Sequence, residues 1–457
     1  MHILLTGATG LIGRELGKAL VARGDTLVCL VRDAAAARRR LPFPALCHAW
    51  DHTRAVPAAA LQGVDAVINL AGEPVAQARW TPARKALIRD SRVLGTRQLV
   101  RAVLDHDRAV SAFVQGSASG YYGERGDEVL DAHSAKGRGF LADVVQAWEA
   151  EVGPLTEGRP QMRVPIVRTG VVLAREGGAL AEMLPIFRLS AAGRLGGGGQ
   201  WMSWIHLDDI VRLFVHALDS ARTGVLEGVA PQPATNRQFT SVLCRALGVI
   251  ENLPVPTLAI NALFGEKATI VLGSTRIAPR ATRASGFEFR FESLDTALHD
   301  LLTPLRGGVR ERTWEQWFPH DAATLWPFFC DAKNLEAITP PFLGFRVLGM
   351  STPKIGVGTL IDYRLRLNGV PLGWRTRIDA WDELRRFVDV QVKGPYTRWE
   401  HAHDFIPLGN GTLMRDTVRY QLPAGWLGAA AGGWKVDRDV GRIFDYRSRK
   451  IDERFGA

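Results

Sequence analysis

The stretch HILLTGATGLIG, residues 2–13, decides the fold of the amino-terminal part of this chain. A short apolar run leads directly into glycines at 7, 10 and 13, a spacing that predicts a strand, a tight turn and a helix beginning at that turn. In such a turn the backbone approaches a pyrophosphate, and the unpaired N–H groups of the helix N-terminus face it. The alternative is a glycine-rich turn without a ligand. We predict a dinucleotide site that includes Thr6, Gly7, Thr9, Gly10, Leu11, Ile12 and Gly13.

Strand-like and helical runs alternate from this stretch to about residue 250. The strand-like runs are HILLTG, TLVCLVR, AVINLAG, AFVQGSAS and VPIVRTGVVL. Their apolar, β-branched character is typical of strands that are buried on both faces. The alternation predicts an α/β fold of the Rossmann type, a doubly wound parallel sheet with helices on both sides.

The end of the second predicted strand indicates which dinucleotide is bound. Arg32 stands at its tip, Asp33 follows, and Arg38, Arg39 and Arg40 come shortly after. An arginine there suits the 2′-phosphate of NADP, since guanidinium matches phosphate geometry, whereas an acidic residue grips the ribose 2′-hydroxyl of NAD. We predict NADP(H), bound in part by Arg32, with Asp33 keeping the NAD alternative open.

Composition sets limits on the rest of the chain. The 457 residues suggest two or three domains, and 46% hydrophobic with 23% charged residues is a globular profile. The net charge of +10 comes from scattered basic residues interleaved with acids, so we predict no nucleic-acid partner. Four cysteines without a CxxC pair fit a reducing compartment, and no long apolar run or leader-like start is present, so we expect a cytoplasmic protein without a membrane span.

The alternation of strand-like and helical runs ends near residue 250. Residues 250–302 form an irregular extension that ends in a helix, and residues 303–313 are predicted to be a linker. From 314 to 457, aromatic residues are dense and runs such as WEHAHDFIPL and GTLMRDTVRYQL alternate in polarity, which predicts antiparallel strands with one core face. The final segment carries a helical apolar stripe. We therefore predict a second, α+β domain in which an antiparallel sheet surrounds a long C-terminal helix.

Residues 1–302 resemble an extended short-chain dehydrogenase/reductase of the atypical, sugar-nucleotide epimerase-like branch. The motifs that carry the likeness are TGATGLIG (6–13), VDAVINLAGEPVAQARWT (64–81), SRVLGTRQL (91–99), GSASGYYG (116–123), VRTGVVL (167–173), WIHLDDIV (204–211), LPVPTLAINALFGEKATIVLGSTR (253–276) and SGFEFRF (285–291). The resemblance implies that Asp51 lies near the adenine and that Asn69, Leu70, Ala71 and Gly72 follow the cofactor. It also implies that Asp209 orders a loop.

Residues 309–457 resemble the START-like, polyketide-cyclase-like (SRPBCC) helix-grip domains. WEQWFPHDAATLWPFFCDAKNLEAITPPFL and FVDVQVKGPYTRWEHAHDF carry this likeness. It implies a cavity that binds an apolar ligand.

The catalytic residues typical of the dehydrogenase family are largely missing. The segment GRGFLADVVQAWEAE, residues 137–151, has neither Tyr nor Lys, so the usual Tyr-x-x-x-Lys pair is absent, and Arg92 replaces an expected Asn. Ser117, Ser119, Tyr121 and Tyr122 remain after a strand at the mouth of the crevice, either as catalytic hydroxyls or as residues that order the turn and line the wall. Glu149 is a further candidate base, and Arg168 either contacts the ligand or forms a buried ion pair.

Other candidates are aromatic or imidazole side chains. We predict that Trp80, Arg92, Trp201 and Trp204 contact substrate, the last two from a flexible lid, GRLGGGGQWMSWIH, residues 193–206. His401 and His403 alternate on a strand and share a face, but the sequence shows no third ligand, so we predict cavity-lining or surface roles and no metal site.

Two functions follow from these patterns. The first is an NADP(H)-dependent, oxidoreductase-like or epimerase-like enzyme acting on a small substrate, with a fused domain for an apolar ligand. The second is a non-catalytic NADP(H) sensor whose helix-grip domain carries the output. The oligomeric state, monomer or homodimer, stays open.

Overall fold

The computed structural model describes residues 1–107, 109–188, 193–367, 369–423 and 425–456. By contacts the chain divides into two compact units. One comprises Met1–Arg38 with Ala45–Thr303, and the other Arg39–Pro44 with Pro304–Ala457. We call them the parallel unit and the antiparallel unit.

The chain up to Thr303 contains mostly short strands separated by helices. The strands are β1 (His2–Thr6), β2 (Thr26–Val31), β3 (Leu46–Ala49), β4 (Ala66–Asn69), β5 (Ala112–Ala118), β6 (Val129–Leu130), β7 (Pro165–Thr169), β8 (Val171–Leu173), β9 (Trp201–Met202), β10 (Trp204–His206), β11 (Gly224–Gly228), β12 (Ala234–Thr235) and β13 (Arg276–Ile277). The helices are α1 (Leu11–Ala22), α2 (Ala34–Arg40), α3 (Pro82–Leu104), α4 (Phe140–Ala150), α5 (Gly153–Gly158), α6 (Gly178–Arg188), α7 (Leu207–Asp219), α8 (Asn236–Leu247), α9 (Thr257–Phe264), α10 (Thr269–Leu272), α11 (Arg280–Ala284) and α12 (Leu294–Leu302).

Seven of these strands form one parallel sheet in the order β11-β7-β5-β4-β1-β2-β3. All six pairings are parallel, which confirms the predicted Rossmann-like sheet. The strand order reverses between β1 and β4, and ligands of such sheets bind at this crevice. The predicted runs became β1, β2, β4, β5, β7 and β8. The sequence missed β3 and β11, which are short and carry polar residues such as His48 and Glu227.

The core of the parallel unit lies between this sheet and its helices. Leu4, Val67 and Phe113 of three neighbouring strands pack with Leu99 and Val103 of α3, and all five are at most 1% exposed. Buried apolar contacts of this kind are the main favourable term in folding.

Asp209, near the start of α7, orders a loop, as the resemblance implies. Its side chain is fully buried and accepts the backbone N–H groups of Arg290 and Phe291, both at 2.9 Å, and a hydrogen bond from Arg212 at 3.0 Å. The carboxylate thus ties the irregular extension to α7.

The antiparallel unit is built from long strands and ends in one long helix. Its strands are β14 (Arg310–Phe318), β15 (Arg346–Met350), β16 (Leu360–Leu367), β17 (Val370–Asp382), β18 (Arg386–Lys393), β19 (Arg398–Leu408) and β20 (Gly411–Gln421), and its helices are α13 (Ala322–Phe329), α14 (Asn334–Ala337) and α15 (Gly425–Phe455). The sheet order is β14-β20-β19-β18-β17-β16-β15, with every pairing antiparallel. A separate antiparallel domain is therefore confirmed.

Two sequence predictions need correction here. The predicted linker, 303–313, is too long, because β14 begins at Arg310 and pairs with Tyr420 of β20. Strands β14 and β15 were not predicted, since their polarity does not alternate in a way that marks one buried face. The apolar stripe of α15 packs on the sheet, where Val440 and Phe444 contact Val418 and Tyr420.

Within the described residues, none of the helices combines the length and the apolar character needed to cross a bilayer.

Candidate dinucleotide-binding site

The turn between β1 and α1 can only be made by glycine at two positions. Gly7 has φ +70°, and a Cβ there would lie 2.7 Å from the carbonyl oxygen of Leu70. A Cβ on Gly13 would lie 2.2 Å from the carbonyl oxygen of Gly7. Both contacts are to backbone, which has no freedom to move away. The turn therefore holds the backbone in a tight concave shape that side chains would fill.

The N-terminus of α1 is open at this turn. Its cap residue, Gly10, has no side chain to bond the first N–H groups, and Thr9 and Gly10 are exposed. Free N–H groups and the helix dipole favour an anion at such an end. The turn thus fits the pyrophosphate of a dinucleotide.

Thr6 acts beneath this turn rather than in it. The residue is fully buried, and its hydroxyl donates to Asn69 Oδ1 at 2.7 Å while accepting the N–H groups of Leu70 and Ala71, both at 3.0 Å. Asn69 in turn donates to Thr96 at 2.9 Å and to Gln115 at 3.0 Å. The side chains of Thr6 and Asn69 therefore hold the loop after β4 against the glycine turn, and that these two residues lie along the cofactor stays a prediction.

The tip of β2 separates the roles of Arg32 and Asp33. Asp33 accepts the backbone N–H of Ala36 at 2.9 Å, so its carboxylate caps α2. The Arg32 side chain is 84% exposed, and its Nη1 lies 3.7 Å from a carboxylate oxygen of Glu73, which is long for an ion pair. The cationic group at this tip is free to meet a ligand, whereas the acidic one is engaged.

Two further predicted contacts have local partners. Asp51 accepts the hydroxyl of Thr53 at 2.5 Å and its N–H at 2.8 Å, and these bonds lower the pKa of Asp51. Gly72 lies against Arg92, because a Cβ on Gly72 would be 2.9 Å from the guanidinium carbon. Arg92 donates to the carbonyl oxygens of Glu73 at 2.9 Å and Ile88 at 3.1 Å, and burial lowers its pKa to about 10. Arg92 thus supports the loop that carries Gly72.

A polar cluster lies beside this crevice, between β5, α4 and β7. Ser117 is directly opposite Arg168 in the pairing of β5 with β7. The Arg168 guanidinium forms two bonds to Glu149, Nε to Oε1 at 2.8 Å and Nη2 to Oε2 at 2.7 Å, and Ser117 donates to Oε1 at 2.5 Å. Although burial by itself lowers the pKa of Arg168, these bonds to Glu149 outweigh it and raise that pKa. The pair is a buried, charge-neutral structural centre.

Tyr122 belongs to the same buried centre. Its side chain is fully buried, and its hydroxyl donates to the carbonyl oxygen of Asp131 at 2.9 Å and accepts from Arg168 at 3.1 Å. Burial raises the pKa of Tyr122 to about 12. Both bonding directions of the phenol are therefore used, and it does not face the crevice.

Ser119 and Tyr121 remain at the mouth of the crevice. Both are partly exposed in the 3₁₀ turn Ser119–Tyr122, and within the described residues neither hydroxyl has a hydrogen-bond partner. The Tyr121 ring lies over the Arg168 guanidinium, 3.4 Å from centroid to Cζ. This turn follows the carboxyl end of β5 and the glycine turn follows that of β1, so both open at the same edge of the sheet.

The parallel unit is similar to known proteins. Residues 3–229 match the NAD dependent epimerase/dehydratase family, and residues 255–301 match a domain of unknown function, DUF1731. The Arabidopsis thaliana protein "Epimerase family protein SDR39U1 homolog, chloroplastic" is 36% identical over 312 residues, which cover 66% of this chain and 87% of that protein. The chain belongs to this epimerase family.

Two further members are similar to this chain. Epimerase family protein Mb2239 of Mycobacterium bovis is 38% identical, over 65% of this chain and 96% of that protein. The crystal structure of human epimerase family protein SDR39U1 with NADPH superposes with a TM-score of 0.59 and 32% identity, covering 66% of this chain and 99% of the human one. The presence of NADPH in that family member agrees with the cofactor predicted from Arg32.

Several predicted site residues of this epimerase family member have structural roles instead. Ser117, Tyr122 and Arg168 are buried in the Glu149 centre, so the prediction that they act on substrate or contact the cofactor is wrong. The reason is that Ser117 and Arg168 bond Glu149 of α4, and Tyr122 bonds Arg168 from the turn after β5. The open choice for Arg168 is decided in favour of the ion pair.

The second half of the predicted lid is regular structure, because it contains β9 and β10. Trp204 is fully buried in β10 and donates to the carbonyl oxygen of Gln232 at 3.0 Å, so the prediction that it contacts substrate is wrong. Trp201 lies in β9, where it donates to Asp127 at 2.6 Å and stacks under Arg276, 4.4 Å from the ring centroid. Gly198 donates to Leu195 at 3.0 Å within a turn. Residues 193–206 are thus anchored rather than a loose flap.

Trp80 lies next to α4. Its indole N–H donates to the carbonyl oxygen of Val75 at 2.9 Å, and its ring meets Phe140 edge-on at 5.2 Å. Phe140 is the first residue of α4, the helix that carries the Tyr–Lys pair in typical dehydrogenases. An apolar ring pair therefore stands near the position where a catalytic phenol is absent. Lys136, upstream of α4, is paired with Asp143.

The antiparallel unit contains a second polar cluster, which corrects the prediction for His401 and His403. Both imidazoles are buried, at 7% and 2% exposure, so a surface role is wrong. Asp389 of β18 lies 3.3 Å from His403 Nε2 and supplies the third group that the sequence did not reveal. Elsewhere in this unit Phe405 of β19 packs against Trp326 of α13, with ring centroids 5.1 Å apart.

Proposed function

We propose that this chain binds NADP(H) and uses it in oxidoreductase-like or epimerase-like chemistry on a small substrate. One observation carries the proposal: the glycine turn leaves an open helix N-terminus, and at the tip of the next strand Arg32 is exposed while Asp33 is engaged as a helix cap. An exposed guanidinium is suited to a 2′-phosphate. The NADPH in the human family member supports the same choice.

The residues that would hold the cofactor are those at the open edge of the sheet. The backbone of Gly7–Gly10 and the first turn of α1 would bind the pyrophosphate, and Arg32 the 2′-phosphate. Leu70, Ala71 and Gly72 lie on the loop that Thr6 and Arg92 hold against this turn. When bound, a nicotinamide supplies hydride transfer.

Ser119 and Tyr121 are the groups proposed to act on the substrate. Their hydroxyls are unused within the described residues, partly exposed and at the same edge as the glycine turn. Ser119 would bond a substrate oxygen, and Tyr121 would hold or release a proton at that oxygen. Arg168 positions the Tyr121 ring from below through a cation–π contact, without itself reaching the substrate.

A second candidate function is a non-catalytic NADP(H) sensor. The specific observation in its favour is the Glu149–Arg168 pair, which engages Ser117 and Tyr122 and takes the carboxylate away from base chemistry. In that case Ser119 and Tyr121 line the pocket wall only.

For the antiparallel unit we propose the binding of an apolar ligand in a helix-grip arrangement. The resemblance of residues 309–457 to START-like domains suggests it. The packing of α15 on the sheet and the inward-facing aromatic side chains support it. We propose residues 314–457, extended to Arg310 where β14 begins, as this domain, with residues 1–302 as the NADP(H) domain.

The cofactor proposal is tested by titrating the full chain with NADPH and NADH, following the fluorescence of the reduced nicotinamide. Arg32→Ser removes charge-assisted hydrogen bonds worth about 1.5–3 kcal/mol, so NADPH affinity should fall about 10- to 150-fold while NADH affinity changes little. Arg101→Ser, at another exposed arginine on α3, is the matched control. Equal losses for both cofactors, or none, would contradict the proposal.

Catalysis is tested separately, by adding fractionated metabolite extracts to the NADPH complex. An oxidoreductase should deplete NADPH fluorescence, and Tyr121→Phe and Ser119→Ala should slow that depletion without weakening NADPH binding. An epimerase returns the hydride and causes no net depletion, so tight binding without depletion favours the sensor only over an oxidoreductase. Unchanged turnover in both variants would show that these hydroxyls take no part in catalysis.

A further inference from the structure

The polar cluster of the antiparallel unit is assembled by strand register. Asp389 of β18 is directly opposite His401 of β19, and His403 of β19 is directly opposite Asp416 of β20. Because residues two apart on a strand share a face, all four side chains point to one side of the sheet. Arg447 reaches the same side from α15.

The outer nitrogens of the two imidazoles are both held by one carboxylate oxygen. His401 Nε2 is 3.0 Å and His403 Nδ1 is 2.8 Å from Asp416 Oδ1. We assign the ring protons to these two nitrogens. Arg447 Nη2 is 3.3 Å from His403 Nδ1, a longer contact, and Arg447 Nε bonds the other oxygen of Asp416 at 3.2 Å.

The inner nitrogens then present lone pairs to a third acceptor. His401 Nδ1 lies 3.6 Å and His403 Nε2 lies 3.3 Å from the same oxygen of Asp389. Three acceptor atoms facing one another need a cation between them, either a proton on His403 or a metal ion.

The spacing of these three atoms suits a metal ion. They all lie within 4.8 Å of one another. Tetrahedral ligands bound at about 2.0–2.2 Å are about 3.3–3.6 Å apart, which matches the two nitrogen–oxygen distances. A carboxylate that bonds the far nitrogen of a histidine ligand is the usual support of such sites, and Asp416 does so for both rings.

The surroundings fix this geometry. Phe387 stacks on the His403 ring at 4.0 Å, and Phe444 meets the His401 ring edge-on at 5.0 Å. Asp389 keeps 18% exposure of its side chain, so the cluster is reached from that side. The two carboxylates against the one guanidinium of Arg447 leave one net negative charge, which either a proton on His403 or a bound cation balances.

We propose that Asp389, His401 and His403 bind a divalent transition-metal ion of the zinc class. Asp416 and Arg447 orient the ligands without touching the ion. Two imidazoles select zinc, iron or cobalt over magnesium and calcium, and three protein ligands leave a coordination position open.

The test uses the full chain after removal of metal by a chelator. Co²⁺ should add one equivalent per chain with visible d–d absorption, and Zn²⁺ should displace it and raise the melting temperature. Asp389→Asn, a near-isosteric change at the accessible edge, should lower Co²⁺ affinity at least about 10-fold, and Asp416→Asn about 10- to 100-fold. His133→Gln, at an exposed histidine of the parallel unit, is the control.

Two results would overturn the proposal. In the first, the wild-type chain shows neither the stoichiometric Co²⁺ spectrum nor a Zn²⁺-dependent rise in melting temperature. That result would mean that a proton on His403, and not a metal ion, lies between the three acceptor atoms. The other is a Co²⁺ spectrum that is unchanged in Asp389→Asn and in His401→Gln, which places the ion elsewhere. If Asp389→Asn does not fold, the wild-type measurements still decide.

Discussion

Glu149→Gln should destabilise the parallel unit far more than its conservative chemistry suggests. The carboxylate accepts three hydrogen bonds, from Ser117 at 2.5 Å and from two nitrogens of Arg168 at 2.8 and 2.7 Å. A glutamine amide offers one accepting oxygen, and its NH₂ group must face one of those donors. The side chains of Arg168 and Glu149 are only 5% and 11% exposed, so the guanidinium would be left buried without its counter-charge.

Removing one partner of a buried ion pair costs about 3–5 kcal/mol. Arg168 keeps its contacts to Tyr122 at 3.1 Å and to the carbonyl oxygen of Ala132 at 3.4 Å, so we expect the lower end, about 3 kcal/mol. The matched control is Glu151→Gln, at the C-cap of the same helix, α4. Glu151 has an equally bidentate bond to Arg97, at 2.9 and 2.6 Å, but the Arg97 side chain is 57% exposed, so its loss should cost less than about 1 kcal/mol.

Hydrogen exchange measured by mass spectrometry on the β5 and β7 peptides gives the free energy of opening of this unit alone. The double variant Glu149→Gln with Arg168→Gln removes the orphaned charge and should recover at least about 1 kcal/mol of the loss. NADPH affinity should change less than about threefold in the folded single variant, because the pair does not reach the glycine turn. If Glu149→Gln costs no more than Glu151→Gln, the pair is not a structural centre, and Glu149 returns as a candidate base.

Three further outcomes follow from single residues. Gly13→Ala places a Cβ 2.2 Å from the carbonyl oxygen of Gly7, so NADPH affinity should fall at least about tenfold. The control Gly153→Ala, whose Cβ has no atom within 4 Å, should bind NADPH as the wild type does. Equal affinities of the two variants would contradict the role of the glycine turn in binding. His206 caps α7 by accepting the N–H of Asp208 at 3.0 Å, and burial, partly offset by Asp300, lowers its pKa below 6.5. The cap therefore contributes stability that is fully present above pH 6.5 and is lost as the pH falls through the lowered pKa of His206. His206→Asn caps without titrating, so its free energy of unfolding should fall less between pH 7 and 5 than that of the wild type. Parallel curves of unfolding free energy against pH for the two proteins would refute this. Trp204→Ala should lower the free energy of unfolding by about 3–5 kcal/mol, because the ring is fully buried. Trp201→Ala should lower it clearly less when both variants are measured by hydrogen exchange. The reverse order would contradict the burial of Trp204.

The sequence by itself determined the glycine turn and the parallel sheet that carries it. The reason is that these features depend on local rules: Gly7 is required by its positive φ, and a run such as TLVCLV forms a strand because its apolar side chains need cover on both faces. Arg32 was readable for the same reason, since it directly follows its strand. The role of Asp33 could not be predicted from the sequence. Only the path of α2 shows that its carboxylate accepts the N–H of Ala36 and caps that helix.

Only the tertiary structure decided which candidate side chains meet. Ser117 and Arg168 are 51 residues apart in the numbering, and the pairing of β5 with β7 places them opposite each other, where Glu149 of α4 joins them. In the antiparallel unit, the sequence placed His401 and His403 on one face, whereas Asp389 and Asp416 joined them through the register of two neighbouring strands. Strand register depends on the packing of whole faces and not on any short stretch, so no local pattern reveals these partners.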